Sequence, residues 1–112
     1  MDQHVPNRSA AIVEPGKLTD YLLSTDHPVG RNKARVFGRC GYDHHSIRDL
    51  VTELTRIVLT EPIVESVESA YGWKYIVDGV IPCSGGATLS IRTIWIVEAE
   101  FAAPRFVTAY PV

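Results

Sequence analysis

The sequence predicts an α+β fold in which N-terminal helices pack on a four-stranded antiparallel β-sheet. Apolar residues recur at helical spacing before Pro62, whereas β-branched and aromatic residues separated by turn signals follow from Ile63. The chain has 112 residues, of which 46% are hydrophobic, so it can build one core but is too short for two domains. A single domain with helices first and the sheet second is therefore expected.

Two short helical stretches are predicted before the main helix. Leu18, Tyr21 and Leu22 follow helical spacing and predict a helix over about residues 17–23. Pro28 and Gly30 interrupt that pattern. A second stretch of about two turns covers residues 32–37, with Val36 and Phe37 expected to face inward before Gly38 and Gly41 end it.

The third helical segment carries the clearest pattern. Its apolar residues lie on one helical face, and Glu61-Pro62 ends it. We expect Asp43 or Ser46 to cap its start. The apolar face comprises Ile47, Leu50, Val51, Leu54, Ile57 and Val58.

Four strands are predicted near residues 63–70, 73–82, 87–99 and 105–110. The turns between them are expected at Tyr71-Gly72, Ser84-Gly85-Gly86 and Ala102-Ala103-Pro104. Short connections favour an antiparallel meander, and the run Ile94-Trp95-Ile96-Val97, apolar on both faces, places the third strand centrally. The predicted core contains Leu50, Leu54, Ile57, Ile94 and Ile96.

The first 16 residues contain Pro6, Pro15 and Gly16 with little periodicity, which predicts an irregular N-terminal arm over residues 1–16 and one domain over 17–112.

The net charge of −2 argues against a basic architectural nucleic-acid binder. No apolar run approaches the length of a membrane-spanning helix, and the N-terminus does not resemble a secretory signal. The chain is therefore expected to be soluble, without a membrane partner.

Cys40 and Cys83 are the two cysteines, and they lie far apart in the sequence. They show no CxxC spacing and no nearby histidine pair, so we expect free, at least partly buried thiols rather than a zinc site or a disulfide. The adjacent residues His44 and His45 point in different directions on a helix, which disfavours a metal site. No metal and no cofactor is predicted.

A set of short motifs resembles an uncharacterised family of small bacterial proteins and C-terminal toxin modules. The order of helices followed by a sheet that ends in Thr-x-Tyr-Pro is in turn similar to the barnase, EndoU, colicin and RelE-like ribonuclease superfamily of toxins. The motifs are Lys17-Leu18-x-x-Tyr21-Leu22-Leu23, His27-Pro28-x-Gly30-x-x-Lys33-Ala34-x-x-Phe37, Tyr71-Gly72-x-Lys74-Tyr75-x-Val77-x-Gly79, Arg92-Thr93-x-Trp95 and Val107-Thr108-Ala109-Tyr110-Pro111.

Metal-independent RNA cleavage needs a base, an acid and positive charge or strong donors around the phosphorane. His27 is the candidate for proton transfer, because imidazole titrates near neutrality; its alternative role is to support the turn at Pro28. Lys33 and Arg92 are the candidate phosphate-binding cations. The alternatives are a solvated Lys33 and an Arg92 that serves as a structural ion-pair partner.

Thr108 and Tyr110 complete the predicted catalytic set, because their i, i+2 spacing sends both hydroxyls to one face of the last strand. They could instead be an ordinary strand residue and a half-buried aromatic. Tyr71 and Trp95 are candidates for stacking on RNA bases, although an aromatic residue in a central strand is more often part of the core.

The resemblance implies a metal-independent ribonuclease toxin that cleaves tRNA or other cellular RNA. Such a toxin belongs to a toxin-antitoxin or a polymorphic, contact-dependent or secreted effector system, and has a cognate immunity or antitoxin protein as partner. Its expected site of action is the cytoplasm, including after delivery into a target cell as part of a longer toxin. The alternatives are a non-catalytic binding module, such as an antitoxin or immunity partner, and an enzyme acting on a small molecule.

Overall fold

The computed structural model describes residues 3–18 and 30–112, with only the backbone of residues 30–33. Its fold is α+β, as the sequence predicts. Helix α1 is a single turn over Pro15–Lys17, α2 spans Gly30–Cys40 and α3 spans Ile47–Thr60. The strands that follow are β1 over Glu65–Ser69, β2 over Gly72–Pro82, β3 over Thr88–Val97 and β4 over Arg105–Pro111.

The four strands form one antiparallel sheet in the order β1-β2-β3-β4, which confirms the predicted meander. Strands β2 and β3 are the interior strands and form the longest pairing, from Trp73 opposite Val97 to Pro82 opposite Thr88. The pairing of β3 with β4 shifts between Ile94 and Trp95. Such a bulge changes the pairing by one residue and bends the strand locally.

Helix α3 packs on one face of the sheet, which we call the inner face. Leu50, Leu54 and Ile57 are fully buried, as the helical pattern predicts. Gly79 lies beneath Ile57, and a Cβ built on Gly79 would lie 2.6 Å from Ile57 Cγ1. A glycine is therefore required at this point for the helix to approach the strand so closely.

The predicted core residues Ile94 and Ile96 are not on the inner face. They are half-buried on the opposite, outer face, whereas Ile91, Trp95 and Val97 are buried against the helices. The prediction assigned the wrong set of alternate β3 residues to the core. All of Ile94-Trp95-Ile96-Val97 is apolar, so hydrophobicity alone does not tell which alternate residues face inward.

The segment before α3 differs in detail from the prediction. Helix α2 runs through Gly38 and ends at Cys40, followed by Gly41 at φ +110°. Its buried residues include Ala34 and Phe37, while Val36 is only half-buried. Asp43 caps the turn that leads into α3, accepting a hydrogen bond from the His45 amide. The predicted helix over 17–23 lies mostly outside the described residues.

The N-terminal segment packs against the rest of the domain. Val5 and Val13 are buried in the core, and Ile12 pairs with Arg105 in a parallel bridge beside β4. The Arg8 side chain donates a hydrogen bond to the Leu59 carbonyl at the end of α3. The described part of the predicted arm contains a 3-10 turn at Arg8–Ala10 and the start of α1, and it contributes to the core.

Cys40 and Cys83 form a disulfide, so the prediction of free thiols was wrong. Their Cα atoms lie 4.5 Å apart although the residues are 43 positions apart in sequence. The bond joins the end of α2 to the end of β2, and spacing rules miss it because tertiary packing alone brings these ends together.

None of the helices in the described ranges is long and apolar enough to cross a membrane.

Candidate functional site

A row of polar side chains crosses three strands on the outer face. Asp78 on β2 lies opposite Arg92 on β3, which lies opposite Tyr110 on β4. Directly paired residues share a face of the sheet, so these three side chains are neighbours. Thr108 lies opposite Ile94, one same-face position from Tyr110 along β4, and completes what we call the outer-face cluster: Asp78, Arg92, Thr108 and Tyr110.

Arg92 and Asp78 form a two-point ion pair. Arg92 Nε lies 2.8 Å from Asp78 Oδ1, and Arg92 Nη2 lies 2.9 Å from Asp78 Oδ2. The side chains are 33% and 35% exposed, so the pair sits at the surface rather than in the core. This contact orients the guanidinium plane on the sheet.

The electrostatic environment keeps Arg92 charged. Hydrogen bonds to Asp78 and the Asp78 charge raise the pKa of Arg92 above its ordinary value, with a smaller contribution from a hydrogen bond to Tyr110. An arginine carries five N–H groups, and the Asp78 contact uses one on Nε and one on Nη2. Donors therefore remain for Tyr110 and for an incoming anionic oxygen.

A shallow cavity of about 380 Å³ adjoins the outer-face cluster next to Asp78. Its lining includes Glu61, Ser90 and Val112. The Val112 amide donates a hydrogen bond to the Ser90 carbonyl, which holds the chain beyond β4 beside β3. Among the described residues that line this cavity, Asp78 is the member of the outer-face cluster.

The structure brings together three of the five predicted catalytic residues, namely Arg92, Thr108 and Tyr110. His27 lies outside the described residues. Lys33 lies in the first turn of α2, and the structure describes only its backbone. Helix α2 contacts β4, the strand that carries Thr108 and Tyr110.

The prediction that Trp95 binds substrate was wrong. Its side chain is fully buried on the inner face, and its indole Nε1 donates a 2.8 Å hydrogen bond to Thr93 Oγ1. The ring also packs edge-on against Phe106, with the ring centres 5.4 Å apart. A ring enclosed in this way has no free face for a base, so Trp95 belongs to the core.

Tyr71 is 77% exposed in the turn between β1 and β2. It precedes Asp78 by seven residues, which corresponds to about 23 Å along an extended strand. The ring is accessible for stacking, but the structure does not bring it to the outer-face cluster.

Asp78 is the site residue that sequence reasoning missed. A signal was available, because strands related by a tight turn pair residues equally distant from its centre. Asp78 and Arg92 are each seven positions from Gly85, the middle of the predicted Ser84-Gly85-Gly86 turn, and the structure pairs them. Applying that symmetry would have predicted the ion pair.

Comparison with solved structures finds a chain with a similar fold. A chain of the contact-dependent growth inhibition toxin–immunity protein complex from Klebsiella pneumoniae 342 superposes with a TM-score of 0.71. The two chains share 17% sequence identity, and the match covers 96% of this chain and 97% of the other. At this identity the likeness concerns the fold.

No curated protein matches the chain. A family match does extend over nearly its whole length, from residue 4 to residue 112, and therefore includes α3, all four strands and the outer-face cluster. On that match, the chain belongs to the family described as a domain of unknown function, DUF6883.

Proposed function

We propose that this protein is a ribonuclease toxin that cleaves tRNA or other cellular RNA by side-chain acid-base chemistry. The observation that carries the proposal is the row Asp78-Arg92-Tyr110, with Thr108 beside it, on the sheet face opposite α3. The likeness to a chain from a toxin–immunity complex supports a role in a toxin system. RNA is the proposed substrate because Arg92, Thr108 and Tyr110 can donate hydrogen bonds to a phosphate.

Arg92 is the proposed phosphate-binding residue. Asp78 holds its guanidinium in one orientation, and the remaining N–H groups can donate to phosphate oxygens as negative charge grows on the phosphorane. The Thr108 and Tyr110 hydroxyls can donate to the same phosphate from β4. Because Asp78 also offsets the Arg92 charge, we expect further positive charge from Lys33.

His27 is the proposed proton-transfer residue, since an imidazole can take the 2′-hydroxyl proton or protonate the leaving oxygen. It precedes α2 by three positions in the sequence, and α2 contacts β4. The His27→Ala variant tests whether His27 takes part in cleavage together with the outer-face cluster.

The disulfide favours one form of the toxin proposal over the other. Structural disulfides form and persist in oxidising compartments and are rare in the cytosol. The Cys40–Cys83 bond therefore fits a secreted or contact-dependent effector that crosses such a compartment better than a toxin that stays in the cytosol where it is made. Its target RNA would still be cytoplasmic.

A cognate immunity or antitoxin protein is part of this proposal, because a ribonuclease in its own cytoplasm would destroy host RNA. The partner is expected to be acidic where it covers Lys33 and Arg92. Co-expression with the product of a neighbouring reading frame should restore growth and yield a stable complex. Normal growth of cells that express this chain alone would contradict the toxin proposal.

The direct test is cleavage of purified tRNA and total RNA by the wild-type protein and its variants. Arg92→Ala should reduce the cleavage rate by about 10²–10³-fold, the range for loss of one donor to a developing oxyanion. His27→Ala should reduce it by about 10²–10⁴-fold, and Tyr110→Phe by less, since the ring is preserved.

Lys74→Ala is the matched control for Arg92→Ala. Lys74 is a cation on the same face of β2, four positions from Asp78, and its partner in the sheet is Ile96. Its removal changes the net charge equally and should leave cleavage within about twofold. If both substitutions reduce cleavage equally, or if Arg92→Ala, His27→Ala and Thr108→Ala all retain it, the site assignment is wrong.

The alternative function is a non-catalytic antitoxin or immunity module. The two-point Asp78–Arg92 pair favours it, because a paired arginine can be a purely structural element of the sheet. This alternative predicts no RNA cleavage and no toxicity on induced expression. It also predicts that expression of the chain protects cells against a toxin encoded nearby.

A further inference from the structure

A second concave surface lies at the other end of the sheet, on the inner face. This cavity of about 430 Å³ is lined by Trp73 and Tyr75 of β2, by the N-terminal segment at Pro6 and Asn7, and by the loop after β3. We call it the aromatic cavity. Trp73 is five residues from Asp78 on β2, which separates the cavity from the outer-face cluster by about 17 Å along the strand, on the opposite face.

The backbone around the aromatic cavity is held by specific contacts. Asn7 Nδ2 donates a 3.0 Å hydrogen bond to the Ala102 carbonyl, which joins the N-terminal segment to the β3–β4 loop. Gly72 adopts φ +124°, and a Cβ built there would lie 2.3 Å from the Val97 carbonyl oxygen. The cavity is thus formed by a packed framework rather than by loosely connected loops.

Two aromatic side chains are exposed at this framework. Phe101 is 85% exposed and Trp73 is 44% exposed, and both line the cavity. Phe101 also has φ +67°, in the left-handed region that residues with a Cβ rarely adopt. Strained backbone conformations and exposed aromatic side chains both concentrate at binding surfaces.

The charge of the aromatic cavity is negative. Among the described residues that line it are Glu98 and Glu100, and no lysine or arginine. Arg105 lies nearby, with its Nε 3.9 Å from Glu98 Oε1, but its other contact is to Glu14. Glu100 has an exposed side chain at the rim. Aromatic faces and carboxylates both attract cations, so the two properties reinforce each other.

We propose that the aromatic cavity docks a segment of a partner protein that presents an arginine or lysine side chain flanked by apolar residues. The cation would lie between the Trp73 and Phe101 rings and the carboxylates, and the flanking residues would cover the exposed aromatic surface. This contact has the opposite charge preference to the outer-face cluster. It therefore defines a second interaction surface that does not depend on ribonuclease activity.

The test uses a synthetic probe, the peptide acetyl-Leu-Arg-Leu-amide, and its citrulline counterpart, which has the same shape without the charge. The chain contains two tryptophans, so ¹⁵N-labelled protein gives two indole N–H signals. The arginine peptide should shift the Trp73 signal in a saturable manner and leave that of buried Trp95 unchanged. Its Kd should be about three- to tenfold lower than that of the citrulline peptide.

Variants separate the two parts of the proposed contact. Glu98→Gln/Glu100→Gln should abolish the preference for arginine over citrulline. The control Asp49→Asn/Glu65→Gln removes two exposed carboxylates that do not line the cavity, and it should retain the preference. Phe101→Ala should weaken binding of both peptides. Equal binding of the two peptides to the wild-type protein, or no shift of the Trp73 signal up to about 10 mM peptide, would overturn the proposal.

Discussion

On β3, alternate residues belong to two different environments. Ile91, Thr93, Trp95 and Val97 face α3 and are buried, whereas Arg92, Ile94 and Ile96 on the outer face are half-buried. The inner face also satisfies its polar atoms internally, since Thr93 donates to the Val77 carbonyl and accepts from Trp95. The outer face instead carries a charged pair and hydroxyl groups.

The difference shows how one sheet separates stability from candidate chemistry. Helix coverage makes every polar group on the inner face costly unless it is paired within the protein. The outer face can hold Arg92 and Asp78 at the surface, where their charges remain solvated and available. Substitutions on the two faces should therefore change different measurable properties.

The strongest test of this comparison is Leu54→Ala against Ile94→Ala. Leu54 is fully buried on the side of α3 that faces the sheet, so its truncation should lower the free energy of unfolding by about 2–5 kcal/mol. Ile94 is half-buried, and its truncation should cost less because it leaves a smaller cavity. Urea denaturation measures both values. Equal losses would show that the two faces contribute alike to stability.

The disulfide tests how far the inner-face packing depends on a covalent link. Closing a loop of 43 residues by the chain-entropy relation predicts a loss of about 4 kcal/mol for Cys40→Ala/Cys83→Ala. Reduction of the wild-type protein should give a loss of similar size, measured by thermal or urea unfolding. If reduced and oxidised protein unfold at the same denaturant concentration, the bond contributes nothing to the fold.

The Tyr42 hydroxyl lies near the disulfide and should affect stability in two ways, through one hydrogen bond and through its ionisation at high pH. Its hydroxyl donates to the Pro82 carbonyl at 2.8 Å, so Tyr42→Phe should cost about 1 kcal/mol. Burial, followed by the Glu53 and Asp49 charges, raises the pKa of Tyr42 above 10.0.

Because the unfolded chain loses the phenol proton first, this contribution to stability is complete below pH 10 and declines as the pH rises through the folded pKa. Unfolding curves between about pH 9 and pH 11 should therefore show a steeper loss for the wild type than for Tyr42→Phe. The same alkaline slope in both proteins would contradict the assignment.

The smallest expected effect concerns Phe101, which lies in the loop between β3 and β4. Asparagine tolerates the left-handed conformation at φ +67°, so Phe101→Asn should raise the free energy of unfolding by about 0.5–1 kcal/mol relative to Phe101→Ala. Both variants remove the exposed ring, and denaturant unfolding compares them directly. No gain for asparagine would mean that the backbone conformation at this position costs little.

Much of the candidate site could be predicted from the sequence. Thr108 and Tyr110 share a face because strand periodicity requires it, and the motif resemblance singled out Arg92. Asp78 was recoverable from the symmetry of the turn around Gly85 but was not recognised. Trp95 was misassigned because its position in a strand did not reveal which face it occupies.

By itself, the sequence determined the order of elements, the antiparallel sheet and the buried stripe of α3, because those features follow from local periodicity and turn residues. Only the tertiary structure decided which alternate residues of β3 face α3, since its apolar run is compatible with either choice. It also brought Cys40 to Cys83 and placed Phe101 and Trp73 around one cavity. Such contacts depend on how distant segments pack, and that information is not carried by the spacing of the residues in the chain.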